Sequence, residues 1–217
     1  MRVRDSMTPV STGPDPASSI SPADGRAGRP APRADARRNR EAVMDAALRL
    51  FRTDPTATVA QVAQAAGVGR VTLYGHYPTR EALVGAALST AVARAERAMA
   101  EAAVPDGATA TEALRALLTA AWPALADGHG AVAAACRDLP ADEVDARHAP
   151  VVRPLRDLLA SGAAAGEVRS DQEVPWLVAA VSALVHAAAE QVASGAMTHD
   201  DATASLLTSV VSLVRPA

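Results

Sequence analysis

Arg70, Thr72, Tyr74 and His76 fall within seven residues of a chain that is otherwise poor in aromatic side chains, and both of its tyrosines, Tyr74 and Tyr77, lie here. An arginine can donate to guanine O6 and N7, a threonine can reach a phosphate or a thymine methyl, and tyrosine and histidine can donate to phosphate oxygens. This is the chemistry of nucleic-acid recognition. The other reactive side chains offer less: His129, His148, His186, His199 and Cys136 are scattered along the sequence. None belongs to an HExxH, CxxC, Gly-x-Ser-x-Gly or phosphate-cradling pattern. No catalytic residue, metal ligand or cofactor is therefore expected. His186, on an apolar helix, is expected to be a satisfied core or interface histidine whose charge is sensitive to pH.

The elements that must position the polar cluster are short helices. Thr58 followed by Gln61 has the form of a capping box and starts a helix near Val59. Val59, Val62, Ala63 and Ala66 then share one face. Gly67 stops that helix at a sharp turn, where glycine tolerates positive φ. Val68 plugs the corner, and a second short helix runs from Arg70 to Tyr74 with Leu73 inward. Ala63 lets the two cross closely. The pattern predicts a helix-turn-helix whose second helix can enter a DNA major groove. Tyr77, next to Pro78, is expected to be a core aromatic, and Tyr74 a phosphate ligand. Ahead of this unit, a helix capped by Asp35 or Asn39 runs to about Thr53, with Val43, Ala47, Leu50 and Phe51 inward and Asp54 and Pro55 ending it.

From about Arg37 to Leu83 the sequence, with AGVGRVTLYGHYPTREAL at its end, resembles the N-terminal domain of the TetR family of bacterial transcriptional regulators. The resemblance covers a three-helix domain and the start of a fourth helix. It implies Arg70, Val71, Thr72, Tyr74, His76, Arg80, Thr58 and Arg37 as DNA-facing residues, with Arg80 and the free N–H groups after Thr79 at the DNA backbone. Two positions depart from the family pattern. Gly69 stands where serine is usual and caps its helix only weakly, and Val71 adds bulk where a small residue is usual.

Charge is divided in the same sense. Residues 1–81 carry twelve arginines against eight acids, whereas residues 82–217 carry nine against sixteen. Only the first part suits a polyanion. The single cysteine excludes an internal disulfide, and a reducing, cytoplasmic compartment fits. No apolar run is read as long enough to span a membrane, and no signal peptide is read. Residues 1–34, with six prolines among Ser, Gly, Asp and Arg, are expected to be a disordered tail. Residues 35–80 then form the helix-turn-helix domain and 81–217 a helical ligand-binding and dimerisation domain.

The remainder reads as helices throughout, so the fold class is all-α. Val84, Leu88, Ala91, Val92, Ala95 and Met99 form one stripe from Arg80 to about Ala103. Thr111–Ala126 repeats the pattern but is expected to kink or end near Trp122, because Pro123 removes a backbone donor. A short helix is expected over Gly128–Asp138, and a longer one over Asp142–Ala164, interrupted by Pro150 and Pro154. Gly162–Asp171 reads as a turn-rich link. Val174–Ala189 is apolar nearly all round and calls for a second chain to cover it. With the last helix, from about Asp200 to Val214, it implies, on the family resemblance, a four-helix interface of a homodimer through Val181, Leu184, Val185, Leu207 and Val211.

The resemblance also implies a small-molecule effector inside the C-terminal bundle. Met99, Leu118, Trp122 and Trp176 are the expected walls, and their character points to a hydrophobic or aromatic effector. The expected function is a repressor that binds a double-stranded DNA operator and releases it on binding that effector. Two rivals remain: a ligand-free dimer controlled by a protein partner or by abundance, and an enzyme using Cys136 beside His129 or His148.

Overall fold

Two orphan donors at the start of a helix are satisfied reciprocally at Thr58 and Gln61: the Gln61 amide donates to Thr58 Oγ1 at 3.3 Å, and the Thr58 amide donates to Gln61 Oε1 at 2.7 Å. The helix that begins here, α2 (Val59–Ala66), ends at Gly67, whose φ of 67° is left-handed, with the Val68 amide bonded back to the Ala63 carbonyl. In this computed structural model, which describes residues 32–216, it is preceded by α1 (Pro32–Thr53) and followed by α3 (Arg70–His76) and α4 (Arg80–Ala100). The C-terminal part is built from α5 (Ala110–Asp138), α6 (Ala141–Ala164), α7 (Val174–Ala193) and α8 (His199–Val214). No strand occurs among the described residues, and the fold is all-α.

Several sequence expectations need correction. The first helix starts at Pro32, so neither Asp35 nor Asn39 caps it, and the last three residues of the expected tail are helical; the rest of that tail lies outside the described residues. Helix α5 is one continuous element through Pro123, where a kink or break was expected. Pro123 and Thr119, the residue whose carbonyl loses its partner, are both exposed, so water can take the place of the missing bond. Pro150 and Pro154 likewise sit within a continuous α6. Helix α7 extends to Ala193 and, contrary to the expectation of no membrane-length run, is long and apolar enough to cross a membrane by length and composition. One of its faces belongs to the core of the bundle, through Leu177, Val178, Val181, Val185 and Ala189.

Two cores share α5. The first joins Val43, Ala47 and Phe51 of α1, Val59 and Val62 of α2 and Leu73 of α3 to Leu83, Val84 and Leu88 of α4. It is completed by Ala131, Ala134 and Ala135 of α5. The second gathers Leu114, Leu118 and Trp122 from the earlier turns of α5 with Leu155 and Leu159 of α6 and the inner faces of α7 and α8. The three N-terminal helices thus do not close a core by themselves.

Backbone approaches backbone where α5 meets the end of α1. A Cβ placed on Gly130 would lie 2.0 Å from the Phe51 carbonyl oxygen and 2.5 Å from the Arg52 nitrogen, and one on Gly128 would lie 2.8 Å from the Ala91 Cβ. Arg52 adds an ion pair to Asp127 at 3.1 Å. Gly75 of α3, in contrast, has nothing within 4 Å of such a Cβ. Gly130→Ala should therefore lower stability in urea unfolding by several kcal/mol, because main chain must move. Gly75→Ala should leave it unchanged or raise it by up to about 1 kcal/mol, through helix propensity.

Candidate nucleic-acid interface and internal cavity

Leu73 is the anchor of α3: it is fully buried, and its carbonyl accepts from the Tyr77 amide at 2.8 Å, closing the helix. With that one side chain held, the other faces turn outward. Arg70 and Thr72 are exposed, Tyr74 is 48% exposed and Val71 is 88% exposed. Removing an isolated valine from water is favourable wherever a partner surface can cover it. His76 is half-buried, and Tyr77 packs against the first core, where burial pushes its phenol pKa upward. Gly69 starts α3 with no side-chain cap.

The flanking candidates behave differently. The Thr58 hydroxyl both donates to Gln61 Oε1 at 2.8 Å and accepts from the Gln61 amide, so it is occupied as a cap. Arg37 is exposed and gives its Nε to Glu41 at 2.8 Å. Arg80 needs correction as a phosphate ligand. Its Nε donates to Asp138 Oδ2 at 2.7 Å, its Nη2 donates to the Pro55 carbonyl at 2.7 Å, and its Nη1 donates to the Ala57 carbonyl. The guanidinium also lies 5.6 Å from the Phe51 ring centroid. Three carbonyl or carboxylate partners and an aromatic face leave it turned inward. What remains at the start of α4 for an anion is the main chain after Thr79, whose hydroxyl accepts from the Ala82 amide at 3.1 Å.

Asp138 shares its carboxylate between two arginines, because Arg137 Nε donates to Oδ1 at 2.8 Å. Burial pushes the Asp138 pKa up, but the hydrogen bonds and charges of Arg137 and Arg80 outweigh it and hold the group below the usual carboxylate range.

The C-terminal bundle holds a partly open cavity of about 100 Å³ between α4, α5, α6 and α7. Met99 and Leu118 line it. Trp122 and Trp176 do not. Trp122 is buried in the second core, its ring 5.5 Å from that of His199, and Trp176 is 62% exposed at the start of α7. Val181 and Val185, expected at a dimer interface, instead line the cavity and are buried within their own chain. Leu184, Leu207 and Val211 are half-buried.

The histidines that are scattered in sequence are partly gathered in space. The rings of His129 and His186 are 5.8 Å apart and those of His148 and His186 6.5 Å apart, while His129 Nε2 lies 2.9 Å from Glu190 Oε2. Burial pushes the pKa of His148 and of His186 below the ordinary imidazole value; neighbouring histidines push His186 further. Sequence gave little sign of this, since the three rings come from three different helices. Cys136 is exposed, and two helical turns, about 10 Å, separate it from His129 on α5, which does not favour a thiol–imidazole pair.

Residues 43–87 match the family model described as bacterial regulatory proteins, tetR family. Over 78 residues the chain is 40% identical to the HTH-type transcriptional repressor LfrR of Mycolicibacterium smegmatis; the match covers 36% of this chain and spans 41% of that relative. Among solved structures, LfrR from Mycobacterium smegmatis in complex with proflavine is similar at a TM-score of 0.65 and 24% identity, covering 83% of this chain and 98% of that one. The TetR transcriptional regulator SCO0520 from Streptomyces coelicolor is similar at a TM-score of 0.53 and 28% identity, with 82% and 99% covered.

Arg80→Ala should cost about 2–3 kcal/mol of stability in chemical unfolding, because it takes the guanidinium donor from the Pro55 and Ala57 carbonyls and leaves the Asp138 carboxylate with Arg137 alone. Arg80→Lys should not rescue it, since an ammonium lacks the planar fork. Because the Asp138 pKa is lowered by folding, this contribution should be present above the ordinary carboxylate range and should fade as pH falls through the lowered pKa. Comparing unfolding of wild type and Asp138→Asn between pH 7 and pH 3 checks this, the difference shrinking towards the acid end.

Proposed function

We propose, for a chain that belongs to the tetR family of bacterial regulatory proteins, that it is a homodimeric repressor which binds a double-stranded DNA operator and releases it when a small, mainly hydrophobic molecule enters the bundle. The observation that carries the reading is α3 itself, a seven-residue helix held by one buried leucine, with Arg70, Val71, Thr72 and Tyr74 outward. In a major groove, Arg70 reads guanine and Val71 covers a thymine methyl. Thr72, Tyr74 and His76 reach phosphates, as do the first main-chain amides of α4. Arg37 adds a positive charge from α1.

Dimerisation is supported by the outer faces of the last two helices. Trp176, Ala179, Ala183 and Ala187 recur at helical spacing on the exposed side of α7, and Leu207 and Val211 stand half-covered on α8. Alanines let a second copy approach closely. The resulting pair of α3 helices would meet two half-sites on one face of DNA, about 34 Å apart or slightly more. A reducing cell interior is the compartment for such a protein.

Control is supported by the cavity's position. Ala91, Val92, Ala95 and Met99 of α4 form part of its wall, and the other end of α4 carries Arg80 and the DNA-facing amides. An effector that fits the cavity better when α4 has shifted draws the population towards spacing that no longer matches the operator. A cavity in this position favours the effector-released reading over the ligand-free one.

Fluorescence anisotropy with operator and random duplexes tests the DNA reading. Arg70→Ala should weaken the operator complex by about 1–3 kcal/mol and relax one position per half-site. Tyr74→Phe should weaken both duplexes alike; equal loss on both for Arg70→Ala would remove base reading from Arg70. Ala187→Glu, on the exposed side of α7, should yield a helical monomer in sedimentation with poor affinity for a full palindrome. A wild-type monomer that binds the palindrome tightly would refute the dimer.

A further inference from the structure

The cavity is apolar on every side but one. From α4 and α5 it receives only alanine, glycine and aliphatic or thioether side chains. The polar side chains that line it are Ser182 and His186, one turn apart on α7, and His148, facing them from α6. No aspartate, glutamate or arginine is in the lining.

We propose that this polar end receives the carboxylate of a small amphipathic acid, whose ring or short alkyl body fills the apolar remainder. The proposal rests on the effector reading above and specifies its ligand class. The geometry supports one anionic oxygen between the two rings: centroids 6.5 Å apart let an acceptor lie about 2.9 Å from a nitrogen of each. Ser182 supplies a further hydroxyl donor. A cationic head would find no counter-charge and would be desolvated without compensation. The cavity, about 100 Å³ and partly open to solvent, is of the same order as the roughly 150 Å³ of an engineered apolar cavity that accepts benzene, and its open side leaves room for a short arm. One ring is thus the fitting scale.

Proton balance follows from the hydrogen bonding of His148. Its imidazole is bonded to the backbone of Val144, so when neutral it keeps only a lone pair for the cavity. Binding an anion there requires a second proton, taken from solvent as the complex forms. The surrounding charges are few. Asp145 acts on His148 from α6, His129 of α5 faces His186 and lies beside Glu190, and Arg147 is drawn towards Glu143, Ser89 and the Gly85 carbonyl. Helix α4 adds no titratable side chain to the lining. A metal is not a competing occupant, since among the described residues no three His, Cys, Asp or Glu side chains are grouped to hold one.

The test is calorimetric titration of the full chain with phenylacetate, 2-phenylethanol and 2-phenylethylamine at pH 6, 7 and 8. The acid should bind at least tenfold tighter than the alcohol at pH 6, with the gap closing towards pH 8, and the amine should bind most weakly. Heats in two buffers of different ionisation enthalpy should show proton uptake with the acid and none with the alcohol. His148→Leu and His186→Leu should each remove the preference for the acid while the alcohol still binds. His186→Gln, which keeps a donor but cannot be protonated, should retain much of the preference and weaken its pH dependence. Equal affinity for acid and alcohol, or a preference that survives both leucine variants, would overturn the carboxylate site and leave the effector reading standing. Failure of all three compounds to bind would overturn both.

Discussion

The guanidinium of Arg80 sits where four segments meet, and its planar fork is what lets them meet. It donates to the carbonyls of Pro55 and Ala57 in the link between α1 and α2, to the carboxylate of Asp138 at the end of α5, and lies against the ring of Phe51. The Phe51 carbonyl in turn is pressed against Gly130. The link that sets where α2 begins is therefore fixed by the start of α4 and the end of α5. A helix pair as short as α2 and α3 has little burial of its own to hold it rigid, and this junction supplies the missing support.

Sharing α5 between two cores has a mechanical meaning. Gly128 lines the cavity, and Gly130, two residues on, touches the end of α1, with His129 between them pointing to Glu190. Main-chain contact without intervening side chains transmits displacement with little slack, because no rotamer can absorb it. The cavity and the first core are thus adjacent along one helix as well as through α4.

The helix-turn-helix was legible because its signals are local. The Thr58–Gln61 box, the glycine at the turn and the inward Leu73 each depend on neighbours within four residues, and the structure places them as the spacing implied. The inward turn of Arg80 was not legible, for the opposite reason. Its partners lie 23 to 58 residues away in sequence, and nothing in its surroundings distinguishes an inward guanidinium from an outward one. The continuity of α5 and α6 through their prolines was hidden for a related reason: whether a missing donor breaks a helix depends on which side faces water, a tertiary fact. Val181 and Val185 were assigned outward because an all-round apolar helix does not say which of its faces is inside. The histidine group needed three helices to be packed before it existed.

The two tryptophans stand at opposite extremes of environment, Trp122 at 2% exposure beside the His199 ring and Trp176 at 62% on the outer face of α7. In optical terms the chain carries two intrinsic emitters with separable spectra. The buried indole, packed against the His199 ring, emits towards the blue. The exposed one emits towards the red and shifts when a second surface covers α7. With no other tryptophan and only two tyrosines in the sequence, the unmodified protein can report its interior and its outer face at the same time.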